Sequence, residues 1–440
     1  MKRFHITTLG CKVNQCESAA LSSMLESGGG SAAQNIDQCD IVIINTCTVT
    51  GKAAMQSRQA IRQAIRRSPN ATIIVTGCYA QTASQELQTI KGIDLIVGHA
   101  DKLRIAEFAR SQLPEAESPR LIRKSIHQAE QFDAMPSVSP RNRTRAFLKI
   151  QDGCNAFCTY CIVPHARGRS RSMPMSDVAQ HIVKLTVDGY QEVVLTGIHL
   201  GCYGQDLTPP TSLTALLSRM AHETNMPRIR ISSIEPTEIE AALIDLVADP
   251  QSCVCPHLHV PLQSGDNDVL QRMGRPYTRE MFAEAIMTVH RALPDAAIGV
   301  DIMAGFPGES DQAFERSYEL IQTLPITYLH VFPFSARKGT PAATFGAQVP
   351  DSAVKVRSQR LRELGTKKKA EFFQSQIDRT VTVLVETVRD PATGFARGLS
   401  GNYIPVYIPD AELAENTIVD VRIVEVTSDG HVIGKPATSV

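Results

Sequence analysis

Lys149-Ile150-Gln151-Asp152-Gly153-Cys154-Asn155-Ala156-Phe157-Cys158-Thr159-Tyr160-Cys161 is the stretch around which the chain is organised. An alternating apolar run, Arg145-Ala146-Phe147-Leu148-Lys149-Ile150, enters it and breaks at Gly153. Three cysteines follow in a Cx3Cx2C pattern, with the aromatic Tyr160 just before the last. Three thiolates on one short loop can ligate three irons of a [4Fe–4S] cluster and leave the fourth iron open for chemistry. A structural zinc loop usually shows paired CxxC units instead. An electron-transfer cluster needs a fourth cysteine, and none follows nearby.

Outward from this loop, the composition is that of an ordinary globular protein, 43% hydrophobic and 20% charged over 440 residues. That length suits two or three domains. Lys+Arg and Asp+Glu both number 45, so net charge gives no sign of a polyanionic partner, and only local clusters could. No apolar run reaches membrane-spanning length. Met1-Lys2-Arg3-Phe4-His5-Ile6 runs straight into a strand pattern without a signal-peptide core, so a cytoplasmic location is expected. In such a reducing compartment, 11 cysteines read as metal ligands, catalytic groups or core residues, not as a disulfide framework.

Residues 1–112 repeat one local theme. Strand-like runs end at Cys11, Cys47 and Cys78, with helical patterns at 14–27 and 51–67 between them. Alternating strands and helices predict an open parallel α/β sheet, which binds ligands beyond the carboxyl ends of its strands. Three strands each delivering a cysteine to that edge predict a second metal site. Spacing alone leaves zinc and iron–sulfur both open. Cys16 and Cys39 lack this placement and read as structural. Residues 113–139, rich in proline and polar side chains, read as a linker.

From 140 to 373, six strand-like runs separated by amphipathic helical stretches predict a full or partial (β/α) barrel with its site at the C-terminal strand ends. There the cysteine loop would meet the tips Thr196-Gly197, Glu235, Gln263-Ser264 and Asp301. An open iron in such a barrel can chelate the amino and carboxylate groups of S-adenosylmethionine, whose reductive cleavage yields a deoxyadenosyl radical. Residues 351–373 read as one long basic helix, and a solvated face would explain it alone. The tail, 374–440, breaks into short strands and predicts a small OB-like β-barrel. Its Phe395, Arg397, Tyr403 and Tyr407 suit single-stranded nucleic acid or, equally, a barrel core.

These motifs resemble the radical S-adenosylmethionine superfamily and, over nearly the whole chain, its methylthiotransferase family. Thr8-Leu9-Gly10-Cys11-Lys12-Val13-Asn14-Gln15, Asn45-Thr46-Cys47-Thr48-Val49-Thr50 and Thr76-Gly77-Cys78-Tyr79-Ala80-Gln81 are similar to its three N-terminal motifs. The resemblance implies an N-terminal domain with three cysteines, a radical barrel and a C-terminal TRAM domain. It implies that Cys11, Cys47 and Cys78 hold a second [4Fe–4S] cluster. It also implies that Thr196-Gly197 lies near the methionine amino group of the cofactor, with Gln263-Ser264 and Asp301 in the same pocket wall.

Family branches differ in substrate: threonylcarbamoyladenosine beside the tRNA anticodon, isopentenyladenosine there, or an aspartate of a ribosomal protein. Lys149–Cys154, Arg167-Gly168-Arg169-Ser170-Arg171-Ser172 and Ser232-Ser233-Ile234-Glu235-Pro236 resemble the first branch. Cys16 in place of Tyr, and Asn155-Ala156 in place of Asp-Asn, depart from it without touching an expected ligand. The resemblance implies sulfur insertion and methylation at carbon 2 of the modified adenine, with electrons from a donor such as flavodoxin or ferredoxin. Arg141–Arg145, Arg167–Arg171, Lys355–Lys369 and the terminal barrel would grip the anticodon stem-loop. The rival readings are a protein-modifying relative and a non-catalytic iron–sulfur protein.

Overall fold

The computed structural model describes residues 2–110, 118–136, 143–410 and 412–437. Its N-terminal sheet has the order β2-β1-β3-β4-β5-β6, every described pairing parallel. The strands are β1 (Arg3–Thr8), β2 (Ser31–Ala32), β3 (Ile41–Thr46), β4 (Thr72–Gly77), β5 (Leu95–Val97) and β6 (Arg120–Ile122). β3 reads Ile-Val-Ile-Ile-Asn-Thr and is buried on both faces, as a central parallel strand requires. Helices α1 (Lys12–Ser27), α2 (Gly51–Arg67) and the single turn α3 (Cys78–Thr82) leave the carboxyl ends of β1, β3 and β4. Strand order reverses at β1/β3, so Cys11 and Cys47 flank the crevice where such sheets bind ligands. β6 lies inside the stretch read as a linker; its three residues gain backbone pairing with β5 that no side-chain periodicity announces. Part of that stretch, with Arg141, lies outside the described residues.

The middle of the chain folds as the expected barrel, in partial form. β7 (Ala146–Lys149), the short β8 (Gln151–Asp152) and β9 (Arg171–Ser172), and then β10 (Glu192–Thr196), β11 (Arg228–Ile231), β12 (His257–His259), β13 (Ala297–Ala304) and β14 (Tyr328–Pro333) follow one another. They form two parallel sheets, β11-β10-β7 and β12-β13-β14, bridged between Ile229 and Val254, while β8 and β9 pair as a small antiparallel ribbon. Val193, Leu195, Ile229, Ile231, Leu258, Ile298, Val300 and Ile302 share one buried cluster with helix residues such as Leu217, Phe282 and Phe314. Side chains alternate along a strand. The remaining positions, among them Glu192, Arg230, His257, His259 and Asp301, therefore face the lumen.

The last five strands, β15 (Thr380–Val385), β16 (Ala396–Ser400), β17 (Pro405–Ile408), β18 (Ile418–Val426) and β19 (Val432–Pro436), close a barrel in the order β15-β16-β17-β19-β18. This barrel docks on the end of the central barrel opposite the cysteine loop. Arg228 and Arg230 donate to the carbonyls of Leu399, Ser400 and Gly401, and Tyr403 stacks on His257 at 4.3 Å between ring centroids. No described helix is long and apolar enough to cross a membrane.

Candidate active site

The cysteine loop begins where β8 ends. Gly153 has φ +74°, and a Cβ there would collide with the Arg169 carbonyl, so glycine alone lets the chain turn into Cys154 against the returning strand. Gln151 then spends its whole amide on this corner. Its Nε2 donates to the Gly153 carbonyl (2.8 Å) and to Ser170 Oγ (2.9 Å), while its Oε1 accepts from the backbone N–H groups of Ile198 (2.8 Å) and His199 (2.9 Å). The Thr196-Gly197 tip is thus pinned beside the cysteines, and a Cβ on Gly197 would stand 2.7 Å from Gln151 Oε1.

Two cationic side chains reach the cysteine sulfurs. Arg275 Nη1 donates to Cys158 Sγ at 3.1 Å, while its Nη2 pairs with Glu235. His199 Nδ1 lies 3.5 Å from Cys154 Sγ, and its Nε2 lies 2.7 Å from Glu238 Oε1. Burial lowers the His199 pKa, but bonds to Cys154, Cys202 and Glu238 outweigh it and hold the ring protonated, well above its usual range. Burial pushes the Cys161 thiol up to about 12, and it raises Cys158 against the opposing pull of Arg275. Tyr160 packs edge-on against Phe306.

The second cysteine triad assembles at the edge of the N-terminal sheet. Cys11 caps α1, and Gly10, at φ +96°, would place a Cβ 2.8 Å from Cys47 Sγ, so the turns carrying these two cysteines touch. Cys78 opens α3, with His99 Nε2 at 3.5 Å from its Sγ. Burial pushes the Cys78 thiol up to about 12; Arg167 opposes this, and Cys47 and Cys11 add to it. Cys11 is exposed, while Cys47 and Cys78 are buried.

A buried ion network joins the two triads. Arg167, on the helix Val163–Arg167 just past the cysteine loop, is 1% exposed. Its Nη1 bonds Glu17 Oε1 (2.9 Å) and Asp152 Oδ1 (2.8 Å), and its Nη2 bonds Asn14 Oδ1 (2.6 Å). Lys102 also pairs with Glu17, and Lys149 with Asp152 (3.1 Å). Asn14 and Glu17 ride on the helix that Cys11 caps, whereas Asp152 directly precedes Gly153-Cys154. A second tie runs from Arg337 Nη2 to Thr48 Oγ1 (2.6 Å), beside Cys47.

These positions correct several expectations. Arg167 and Arg171 are buried, and only Arg169 of that run faces solvent. A side chain of that length beside two carboxylates lowers its energy more by pairing than by snorkelling, which the run of arginines conceals. In the helix Asp351–Gln374, Arg357 pairs with Glu309 and Asp311, Arg360 with Glu315, and Lys368 is buried. Tyr403 is committed to the inter-barrel contact. Ser264 is buried, with its hydroxyl at the Asp266 N–H and Ser317 instead of in a pocket wall. Asp301 meets His259 and His330, while Gln263, at φ +64°, bridges to Ile302. Sequence reasoning gave no role to Gln151, His199 or Arg275. Gln151 lay in the quoted stretch; Arg275 had no local signal.

The donor set fits the iron–sulfur group that the loop implies. Three cysteines converge with no disulfide among them, and hydrogen-bond donors already stand at two of their sulfurs. The N-terminal set fits likewise, three free thiols on touching turns beside the Arg167 guanidinium.

Known proteins agree with this architecture. Residues 3–98 match the Uncharacterized protein family UPF0004, and residues 148–321 match the Radical SAM superfamily. A Bacillus subtilis protein, threonylcarbamoyladenosine tRNA methylthiotransferase MtaB, is 38% identical over 96% of this chain and 93% of its own length. The Aquifex aeolicus protein of the same name is 36% identical over 86% of this chain and 91% of its own. A tRNA-2-methylthio-N(6)-dimethylallyladenosine synthase of Pelotomaculum thermopropionicum is 33% identical over 95% and 97%. Among solved structures, the radical S-adenosylmethionine methyltransferase TsrM of Kitasatospora setae shares the fold, with a TM-score of 0.59 and 16% identity over 78% of this chain and 77% of that one. With matches of this extent, the chain belongs to the methylthiotransferase family of the radical S-adenosylmethionine superfamily.

Proposed function

We propose that the protein transfers a methylthio group to carbon 2 of N6-threonylcarbamoyladenosine at position 37 of tRNA. The observation that carries this reading is near full-length identity of 38% to a relative named for that reaction. The relative named for dimethylallyladenosine, at 33%, supports isopentenyladenosine as the second reading. In this account residues 1–112, 140–373 and 374–440 act as the sulfur-donating, radical-generating and RNA-binding modules.

Cys154, Cys158 and Cys161 would hold one [4Fe–4S] cluster, and Cys11, Cys47 and Cys78 a second. When bound, these groups and S-adenosylmethionine supply the radical cleavage and the sulfur. The chain's own work is positional. Gln151 fixes the Thr196–His199 loop against the cysteine loop, and Arg275 and His199 orient and charge-balance the cysteine sulfurs. The Arg167 network sets the separation of the two triads. Among the described residues Arg143, Arg169, Lys355, Arg362, Lys367 and Lys369 are exposed, and with half-exposed Arg397 they are among the cations available to RNA phosphates. An electron donor of the flavodoxin or ferredoxin class completes the system.

The test is anaerobic reconstitution with S-adenosylmethionine, reductant and tRNA carrying threonylcarbamoyladenosine, followed by nucleoside mass spectrometry. A methylthio product is expected. No product there, with product on isopentenyladenosine tRNA, moves the protein to the second reading. Cys47→Ala should keep about half the iron and still cleave S-adenosylmethionine, yet give no methylthio product.

A further inference from the structure

The lumen of the radical barrel holds a side-chain cluster that the methylthiotransfer reading does not use. His259 comes from β12, Asp301 from β13 and His330 from β14. Asp301 and His330 are direct register partners, and His259 is the register partner of Gly299, one pleat earlier. Three atoms converge from these strands. His259 Nε2 is 3.1 Å from Asp301 Oδ1, His330 Nδ1 is 3.2 Å from the same oxygen, and the two ring nitrogens are 3.2 Å apart. The three donors therefore form a nearly equilateral triangle.

That triangle has the dimensions of one face of a coordination polyhedron. Donors about 2.0–2.2 Å from a metal, at tetrahedral or octahedral angles, stand roughly 3.0–3.5 Å from each other. Protons alone explain the triangle less well. If both ring nitrogens carry hydrogens toward Asp301, two N–H groups face each other at 3.2 Å; if one donates to the other, the carboxylate loses a donor. The surroundings also suit ligation. Ser233 Oγ lies 2.7 Å from His259 Nδ1 and can accept its proton, which turns the Nε2 lone pair toward the other two donors. His330 is the most exposed of the three, with side-chain exposure of 53% against 10% for His259, so the open side of the triangle faces the lumen.

We propose that His259, Asp301 and His330 form a binding site for one divalent first-row transition-metal ion, separate from the two cysteine triads. Two imidazoles and one carboxylate with open positions suit zinc or ferrous iron, and supply too few oxygens for calcium or magnesium. The open positions would be taken by water or by oxygen donors entering the lumen. No electron transfer or bond cleavage is assigned to the ion.

The test uses the cluster-loaded protein. It is equilibrated with zinc sulfate, desalted, and assayed for zinc, iron and sulfide by mass spectrometry and colorimetry. Wild type should retain one zinc per chain above its iron, and His222→Asn, at an exposed histidine outside the cluster, should retain it too. His330→Asn keeps a hydrogen-bonding side chain but removes a good ligand, and should weaken zinc binding by at least about tenfold with iron and sulfide unchanged. Zinc absent from wild type, or retained at full level by His330→Asn, overturns the proposal. If His330→Asn loses its iron, X-ray absorption of zinc-loaded wild type decides. Two imidazoles and a carboxylate around zinc support the site, and a sulfur shell or water alone refutes it.

Discussion

Replacing Arg167 by Met should loosen the joint between the N-terminal domain and the radical barrel without unfolding either. Methionine matches much of the aliphatic stem but removes the guanidinium from a site 1% exposed to solvent. Glu17 then loses its 2.9 Å partner, Asp152 its 2.8 Å partner and Asn14 Oδ1 its 2.6 Å partner. Breaking a buried ion pair from one side costs about 3–5 kcal/mol. Lys102 still pairs with Glu17 and Lys149 with Asp152, so the ionic part falls at the low end, about 3 kcal/mol. The stranded amide oxygen of Asn14 adds about 1 kcal/mol or more. The sum, roughly 4 kcal/mol, corresponds to an opening equilibrium about 10²–10³-fold more populated. Hydrogen exchange read by mass spectrometry measures it directly. Amides of α1 and of β7, packed across this joint, should lose about two to three decades of protection while those inside β3 stay unchanged. Arg169→Met, at an exposed position of the same run, is the control and should change little. If Arg167→Met leaves α1 protection within about threefold of wild type, the network does not hold the two triads together, and the reasoning fails.

Two further outcomes follow from single contacts. Arg275→Met removes the 3.1 Å hydrogen bond to Cys158 Sγ, which favours the reduced, more negative cluster; a loss of roughly 1 kcal/mol should lower its potential by about 50 mV in an EPR-monitored titration, and an unchanged or raised potential contradicts the contact. His257 is pressed well below its usual pKa, by burial first and then by Arg230, so the folded protein keeps it neutral while the unfolded chain takes up a proton near pH 6.5. Stability is then fully present above about pH 6.5 and falls by up to about 1.4 kcal/mol per pH unit below it. Urea midpoints of His257→Gln should show a shallower decline between pH 6.5 and 5 than wild type, and parallel slopes would refute the buried neutral ring.

Several features were legible in one dimension because their physics is local. Gly10-Cys11 and Gly153-Cys154 announce a turn delivering a thiol, because the left-handed backbone that glycine permits is a property of the residue itself. The β-rich run of β3 and the alternating run before Gly153 each report burial through neighbouring residues alone. Spacing within Cys154–Cys161 limits what one loop can ligate, and the three-part order of the chain follows from where its periodicities change.

What the sequence could not decide is pairing across distance. Arg167 and Arg169 are two positions apart with the same side chain, yet one is buried against Glu17, 150 residues away, and the other meets solvent. Arg275 reaches Cys158 from 117 residues further along, and His259, Asp301 and His330 come together only because three parallel strands share a register. By sequence Tyr403 suited nucleic acid and a barrel core equally, and only docking of the terminal barrel stacks it on His257. A charge or a ring carries the same local signal in each setting. Its partner, and therefore its energy and its role, exists only after the domains have docked.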